Sequence, residues 1–277
     1  MINLKFLNNF FISSLSFLKR DFANNVSYKM QFILSIISIF LSVYVFFFFS
    51  KLFQGENSYL NDYGGDYFFF LIIGICIMDM IFKVSITLNL EIRNYQLTGI
   101  FDELINMPTP IIITLLNSHI YPIIFSLFRS LIYFLVAIVF FDLNISLNQP
   151  FFLIATVILT IACYLGIGII SGSYTILFKT GNPLSNLNRV SVLVAGGVFF
   201  PTTILPDWLE NISFLIPITH SLDLIRALLM PDFVPLDNMY EKLFLLLSFA
   251  TFLIFSGVFL CNKAINLGRK KGTLNFY

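Results

Sequence analysis

FFLIATVILTIACYLGIGIISGSYTILF, residues 151–178, contains no Asp, Glu, Lys or Arg over its whole length. A helix needs about 20 mostly apolar residues to cross the hydrocarbon core of a bilayer, and this stretch exceeds that length. Five further stretches of similar character predict an all-α integral membrane protein. The six predicted transmembrane helices cover residues 31–50, 67–90, 111–141, 151–178, 186–204 and 240–262.

The composition of the whole chain excludes the soluble, disordered and disulfide-rich classes of protein. Of the 277 residues, 58% are hydrophobic and only 11% are charged, whereas an average soluble domain has about 25% charged residues. The net charge of +1 provides no basic surplus, so we expect no nucleic-acid partner. Cys76, Cys163 and Cys261 are far apart, without metal-ligand or redox spacing, and we interpret them as packing residues.

The distribution of basic residues predicts the orientation of the chain. Cytoplasmic segments of membrane proteins carry an excess of Lys and Arg. Most of the 16 basic residues lie in segments on the same side as the N-terminus, and the opposite segments hold only Lys51, Arg226 and Lys242. We therefore expect residues 1–277 to form one multi-pass domain of the cell membrane, with both termini in the cytoplasm.

The N-terminal segment 1–26 differs from the predicted spans because polar residues interrupt its apolar pattern. Leu4, Leu7, Phe11 and Leu15 recur at helical spacing, with Lys and Asn residues between them. This pattern predicts an amphipathic helix in the cytoplasmic membrane interface. A secretory signal is the alternative, which has less support because no small-x-small cleavage site follows.

The stretch PDWLENISFLIPITHSLDLIRALLM, residues 206–230, is apolar but is interrupted by prolines and charged residues. Proline removes a backbone hydrogen bond, which disfavours a single crossing helix in lipid. The favoured interpretation is a re-entrant pair of short helices, with Pro206 in the first turn of one and Thr219 as the cap of the other. We expect Trp208 at the membrane interface. An ordinary amphipathic outer loop is the alternative.

The stretch LEIRNYQLTGIFDELINMPTP, residues 90–110, lies between two predicted spans on the cytoplasmic side. Apolar residues at spacings of three and four predict a short amphipathic helix within residues 94–107, capped by Thr98. Asp102 and Glu103 then lie in the first turn, where negative charge is favourable. The apolar face has no span to cover it, which favours a bound partner. A helix that rests on the bilayer surface is the alternative.

Three charged residues, Asp79, Lys83 and Arg129, lie in the interior of predicted spans, away from the span ends. Charge inside a membrane is costly and often functional. Asp79 and Lys83 are four residues apart, so a structural ion pair is favoured and a role in transport is the alternative. Asp223 and Arg226 are three apart and are expected to pair on one helical face. The pattern assigns no partner to Arg129.

The two histidines, His119 and His220, have no second ligand at metal-binding spacing, so we interpret both as hydrogen-bonded structural residues and expect no metal site. No Ser–His–Asp arrangement is recognisable, and no catalytic residue is assigned. Gly168 and Gly172 form a G-x-x-x-G motif, whose small residues let helices approach closely. The motif is compatible with packing within one subunit or between two.

The stretch GGVFFPTTILPDWLENISFLIPITHSLDLIRALL, residues 196–229, resembles the permease subunits of type-2 ATP-binding-cassette (ABC) exporters. In that family a Gly-x-x-Phe-x-Pro…Leu-Pro-x-Trp-Leu run leads to Pro-x-Thr-His and then to an Arg. The matching positions are Gly196, Phe199 or Phe200, Pro201, Leu205, Pro206, Trp208, Leu209, Pro217, Thr219, His220 and Arg226. The 90–110 loop is similar to the family's first coupling helix, but has Gly99-Ile100-Phe101 where the family often has Gly-Thr-Leu-Glu.

The resemblance implies a half-transporter that pairs with a second permease subunit, identical or homologous, around a central pathway. Separate ABC ATPase subunits would bind ATP and Mg²⁺ and drive transport, whereas this chain would bind no cofactor and would not be an enzyme. The chain contains no G-x-x-x-x-G-K-[ST] phosphate loop, in agreement with this implication. The resemblance assigns ATPase contacts to Glu91, Arg93, Leu97, Gly99, Phe101, Asp102, Glu103, Leu104 and Pro108, and the outer gate to Pro201, Pro206, Trp208, Pro217, Thr219, His220 and Arg226.

The resemblance favours export of a drug-like, antibiotic or amphipathic molecule, including one linked to lipid. Two other classes remain open from the residues themselves. An ion-gradient-driven secondary transporter or channel would use Asp79 and Arg129 and would transport without a partner. An intramembrane enzyme would turn over its substrate alone.

Overall fold

The computed structural model describes residues 4–52, 66–107, 110–146, 149–179, 182–230 and 238–271. These ranges consist of helices and connecting turns, and no strand occurs in them. The helices are α1 (Leu4–Ser27), α2 (Lys29–Leu52), α3 (Tyr67–Leu97), α4 (Phe101–Asn106), α5 (Ile111–Ser118), α6 (Ile120–Phe141), α7 (Pro150–Phe178), α8 (Pro183–Ala195), α9 (Asp207–Ser213), α10 (Pro217–Leu229) and α11 (Met239–Lys271), with a 3₁₀ turn at Thr202–Ile204.

Five segments of the described ranges are long and apolar enough to cross a membrane: α2, α3, α5 together with α6, α7, and α11. The pair α9 and α10 provides a sixth candidate only as a broken span, because the two helices are bent by 82°. The protein is therefore a multi-pass membrane protein. The prediction of an all-α integral membrane fold is confirmed.

The N-terminal segment forms one helix, α1, which lies on α5 and α6. The Ser14 hydroxyl donates a hydrogen bond to Oδ1 of the buried Asn117 at 3.0 Å. α1 is not among the described segments that are apolar enough to cross a membrane. Its location in the membrane interface stays a prediction.

The predicted crossing segment 186–204 is helical only as far as Ala195, where α8 ends. Gly197 has a φ of +71°, a left-handed conformation that glycine adopts at little cost. The chain then continues without regular structure to Pro201. The hydropathy of this segment predicted a single crossing helix and gave no sign of the break after Ala195.

α3 lies at the centre of the bundle, and its first ten residues after Tyr67 are all buried. α7 packs against α3, and α11 packs along α7. A Cβ atom on Gly168 would lie 3.2 Å from the backbone oxygen of Ser85, and one on Gly172 would meet the side chain of Leu88. The G-x-x-x-G motif thus packs α7 against α3 within one subunit.

Candidate functional site

The loop with the predicted ATPase contacts consists of the end of α3, a turn and the short helix α4. Gly99 in the turn has a φ of +75°, which ordinary side chains disfavour. The predicted single helix over 94–107 is therefore two helices. Thr98 ends the first of them, because its hydroxyl donates to the carbonyl of Asn94 at 2.8 Å. Its predicted role as the cap of the coupling helix is wrong, since α4 has no side-chain cap.

The apolar side of α4 packs into the interior of this chain. Phe101, Leu104 and Ile105 are 0%, 7% and 8% exposed. The expectation that this face is uncovered is wrong, because α3, α5, α7 and α11 extend far enough to bury it. The residues of this α4 cluster are Leu88, Ile92, Phe101, Leu104, Ile105, Ile111, Leu115, Ile169, Ile176, Cys261, Ala264 and Ile265.

A different set of residues around α4 remains exposed. Leu97, Ile100 and Met107 are apolar side chains with 56%, 42% and 47% exposure, and Gly99 and Glu103 are exposed beside them. We call these five residues the α4 tip. The side chain of Asp102 and the whole of Pro108, both predicted ATPase contacts, lie outside the described part of the chain.

Glu91 and Arg93 lie on α3, within two helical turns of Leu97. Arg93 Nη1 donates to the carbonyl of Lys179 at 3.0 Å and so ties the end of α3 to the end of α7. Glu91 is half-buried. A contact that the sequence did not suggest joins α11 to α4: Arg269 Nη2 donates to the carbonyl of Ile105 at 3.0 Å.

At the opposite end of the bundle, Arg226 of α10 is 1% exposed and bonds to backbone carbonyls. Its Nη1 donates to Gly197 at 2.8 Å, and its Nη2 donates to Val198 at 3.1 Å and Phe70 at 3.2 Å. The guanidinium carbon also lies 3.4 Å from the centroid of the Phe70 ring. The non-helical segment after α8 leaves its carbonyls without helical partners, and Arg226 supplies the donors that lipid lacks.

The predicted Asp223–Arg226 pair is wrong. Lys242 Nζ of α11 lies 2.6 Å from Asp223 Oδ2 and takes the place of the arginine. Asp223 is half-buried toward α11, whereas Arg226, three residues on, points toward α3 and the segment after α8. Two residues on one helix therefore serve two different neighbours.

The other predicted gate residues shape the bend between α9 and α10. Pro206 immediately precedes α9, and Pro217 is the first residue of α10, which suits a residue without an N–H group. Thr219 lies inside α10 and does not cap it, contrary to the prediction. His220 Nε2 donates to the carbonyl of Phe214 at 2.9 Å, a structural contact. Of the remaining two, Pro201 is buried and Trp208 is 65% exposed.

The intramembrane charges form a pair that differs from the predicted one. Arg129 Nε and Nη2 lie 2.8 and 3.3 Å from the two carboxylate oxygens of Asp79, and Nη1 donates to the carbonyl of Ser35 at 3.2 Å. This arrangement joins α2, α3 and α6 near the middle of α3. Lys83 does not take part; its ammonium lies 6.0 Å from the centroid of the Phe125 ring.

Asp79→Asn is expected to destabilise the protein by about 2 kcal/mol, because it leaves the Arg129 cation without its counter-charge in the bundle. Thermal unfolding followed by size-exclusion chromatography measures the change. The double variant Asp79→Asn/Arg129→Gln removes both charges and should lose less stability than the sum of the two single variants. Additive losses would contradict a direct pair.

Most of the chain, residues 11–230, matches the family model described as ABC-2 type transporter. The chain belongs to this family. It is a permease component of an ABC exporter, and the family implies association with ABC ATPase subunits. The resemblance carried by the 196–229 motif is thereby confirmed. No match was found among the curated proteins.

α3 of this ABC-2 permease connects the two regions that the sequence singled out. Its first turns carry Phe70, which accepts from Arg226, and its end leads directly into the α4 tip. Its 31 residues correspond to a length of about 46 Å at 1.5 Å per residue. The Asp79–Arg129 pair lies between these ends. The α4 segment, the Asp79–Arg129 pair and Arg226 therefore do not form one pocket, and each contacts α3 at a different level.

Sequence reasoning missed a polar cluster where α7 ends and α8 begins. Asn182 Nδ2 donates to the Ser171 carbonyl at 2.8 Å and to the Thr175 hydroxyl at 3.0 Å, while its Oδ1 accepts from the Ser185 amide at 3.1 Å. Thr175 also donates to Asn89 of α3. The signal for it was the Asn-Pro pair at 182–183, since Asn is a favoured cap and Pro a favoured first residue of a helix.

Proposed function

We propose that this permease forms half of an export pathway and that a separate ABC ATPase drives it through the α4 tip. In this proposal both termini and the α4 end of the bundle face the cytoplasm, and the Arg226 end faces outward across the cell membrane. The ATPase subunits bind ATP and Mg²⁺. The substrate is a drug-like, antibiotic or amphipathic molecule, including one linked to lipid.

The burial pattern of α4 is the observation that carries this proposal. The exposed Leu97, Ile100 and Met107 offer a small apolar surface on a projecting turn, which suits insertion into a groove of a partner. Phe101 and Leu104 are buried and serve as the anchor. In this short segment the exposed residues are therefore available to the ATPase, and the buried ones hold the segment to the bundle.

The α4 cluster provides the route by which a displacement of the tip reaches the membrane. It joins residues of α3, α5, α7 and α11 around Phe101. Packed protein interiors have low compressibility and transmit strain rather than absorbing it. A push on α4 therefore moves these four helices together and not one helix alone.

A second permease subunit, identical or homologous, is proposed to pack against α2 and α8. α2 is the least buried of the candidate spans. On α8, Leu187, Val190 and Val194 are 65%, 57% and 45% exposed, and the polar Arg189 is exposed among them. A charged side chain on an apolar helix face favours a partner or an aqueous pathway over lipid.

The alternative of an ion-gradient-driven carrier or channel that uses Asp79 and Arg129 has less support. The two side chains neutralise each other at 2.8 Å. A coupling site for an ion needs a charge that is available to it. An ion pair that joins three helices is better suited to holding them in register.

Reconstitution into liposomes tests the proposed function. The chain alone and the chain with its ATPase are compared for movement of a fluorescent amphipathic lipid across the bilayer, with and without ATP. We expect movement only with both proteins and hydrolysable ATP. Equal movement by the permease alone, driven by an ion gradient, would support the carrier instead.

Arg269→Gln is expected to loosen α4, because it removes the cationic donor from the carbonyl of Ile105 at the end of that helix. A hydrogen bond from a charged donor contributes about 1.5–3 kcal/mol, so the amides of residues 101–106 should exchange with solvent roughly tenfold faster. Hydrogen exchange of the purified permease measures this. Lys270→Gln, an exposed neighbour, is the matched control, and equal exchange in both variants would contradict the anchoring role.

A further inference from the structure

A cavity of about 310 Å³ lies between α1, α2, α3 and α6, and neither the α4 tip nor the Arg226 region uses it. Its wall carries charges of both signs and aromatic rings. The side chains that matter here are Asp21, Phe32, Lys83, Glu91, Tyr121 and Phe125. Such a mixture is unlike the purely apolar 360 Å³ cavity between α3, α6, α7 and α10.

The charges of this cavity follow a definite order along α3. Lys83, Thr87 and Glu91 are spaced by four residues and so share one face of the helix. Lys83 and Glu91 are about 12 Å apart along the axis at 1.5 Å per residue. Lys83 lies within the predicted span 67–90, and Glu91 lies just beyond it. The cation is therefore the deeper of the two charges and the carboxylate the shallower.

A zwitterionic phospholipid has the complementary order. Its phosphate lies next to the apolar tails, and its ammonium group is farther out toward water. A headgroup at this depth would bring the phosphate to Lys83 and the ammonium to Glu91. The Lys83 ammonium lies 6.0 Å from the centroid of the Phe125 ring, on the wall of the cavity.

Of the two carboxylates of the cavity, only Asp21 forms an ion pair with another described residue. Asp21 is held by Arg20, whose Nε lies 2.7 Å from its Oδ1. Each carboxylate has one buried oxygen, Oδ2 of Asp21 and Oε2 of Glu91, that accepts no hydrogen bond from the described residues. A buried acceptor of this kind is costly unless a donor reaches it. Glu91 thus lacks the ion-pair partner that Asp21 has, and its Oε2 can accept a hydrogen bond from an ammonium donor.

The aromatic wall of the cavity also suits an ammonium group. The rings of Tyr121 and Phe125 stack with centroids 5.8 Å apart, and Phe32 lies 6.3 Å from Phe125. Ammonium ions are attracted to the faces of aromatic rings, more strongly where water is scarce. Because Arg20 neutralises Asp21, the remaining charges of the lining are the cation of Lys83 and the anion of Glu91. These two cancel, so the cavity suits a ligand without net charge, such as a zwitterion.

We propose that this cavity binds the ammonium–phosphate headgroup of a zwitterionic phospholipid of the adjacent leaflet. Lys83 contacts the phosphate, Glu91 accepts from the primary ammonium, and the tails leave along α2 and α6. A bound lipid then fixes α1 to the bundle, because Asp21 and Asn24 of α1 form one wall. This binding needs no ATPase and is independent of the direction of transport.

Native mass spectrometry of the purified full chain tests the proposal with phosphatidylethanolamine and phosphatidylglycerol at equal concentration. We expect one tightly retained phosphatidylethanolamine. Lys83→Gln should weaken binding about tenfold, the contribution of one charge-assisted contact. Glu91→Gln should abolish the preference for phosphatidylethanolamine over phosphatidylglycerol. The matched controls are Lys51→Gln and Glu241→Gln, which remove exposed charges outside the cavity and should retain wild-type binding.

Three outcomes would overturn the proposal. One is equal retention of the two lipids by the wild type, and another is an unchanged preference in Glu91→Gln. The third is that dodecylamine binds as tightly as phosphatidylethanolamine and that Lys83→Gln does not change its binding. This result would indicate a site for cationic amphiphiles instead. If Glu91→Gln does not fold, Tyr121→Leu replaces it, and it should reduce retention of phosphatidylethanolamine more than that of phosphatidylglycerol.

Discussion

Arg226→Gln is expected to leave little stably folded permease in the membrane. The glutamine side chain is shorter and uncharged, so the buried carbonyls of Gly197 and Val198, which lie outside a helix, lose their donor. Leaving two buried carbonyls without a donor costs about 1–3 kcal/mol each, which corresponds to a fall of roughly 10 °C in unfolding temperature for a chain of this size. Heating of detergent extracts followed by size-exclusion chromatography measures this fall.

Arg189→Gln is the matched control for this prediction. It makes the same substitution at an exposed arginine of α8, and it should change the unfolding temperature by only about 1 °C. Arg226→Lys keeps the charge but loses the planar donor group that reaches several carbonyls, so an intermediate loss is expected. An Arg226→Gln protein as stable as Arg189→Gln would show that the segment after α8 does not depend on this side chain.

Ile100→Asp is expected to separate the permease from its ATPase without unfolding it. Ile100 is 42% exposed at the α4 tip, so a charge there costs the free chain little. In a docked complex the same charge would be buried in an apolar contact, at a cost of at least about 2 kcal/mol or roughly thirtyfold in affinity. Copurification of the ATPase with the tagged permease measures the loss.

Asn266→Asp is the matched control because it adds the same charge at an exposed position of α11 near the same end of the bundle. It should retain the ATPase at the wild-type level. Both variants should keep the wild-type unfolding temperature. Full retention of the ATPase by Ile100→Asp would mean that the partner binds elsewhere.

Hydropathy and motifs predicted the membrane class, the helical composition and the family. In lipid, the backbone N–H and C=O groups of an apolar stretch such as 151–178 need partners within the stretch, and a helix provides them. The length of such stretches therefore locates most spans. The segment 186–204 was harder because its hydropathy continues past the helix end at Ala195. Backbone hydrogen bonds that a distant arginine supplies leave no trace in a local pattern.

The ion pairs show the same limit of local reasoning. The sequence predicted Asp79–Lys83 and Asp223–Arg226 because helical neighbours at three and four residues can reach each other. The structure pairs Asp79 with Arg129 and Asp223 with Lys242. A buried charge can pair with a residue of a neighbouring helix instead of one on its own helix. The tertiary packing decides which helix lies close enough, and residue spacing gives no information about it.

The coupling segment shows why residues that match a motif need not share one role. Phe101 and Leu104 match the family pattern, yet they are buried in the α4 cluster. Ile100, at which the chain departs from that pattern, is exposed at the tip. Amphipathic spacing identifies an apolar face, but it does not tell whether the chain itself or a partner covers that face.

Photocrosslinking at the α4 tip is the most direct measurement of the central claim, that a separate ATPase acts on this permease through that segment. A benzophenone side chain replaces Ile100, native membranes are illuminated, and the adducts are sequenced by mass spectrometry. The account predicts an adduct with a protein that carries a phosphate loop, and none from the same probe at Leu187 on α8. Adducts with lipid alone at position 100, together with transport by the isolated permease, would contradict it.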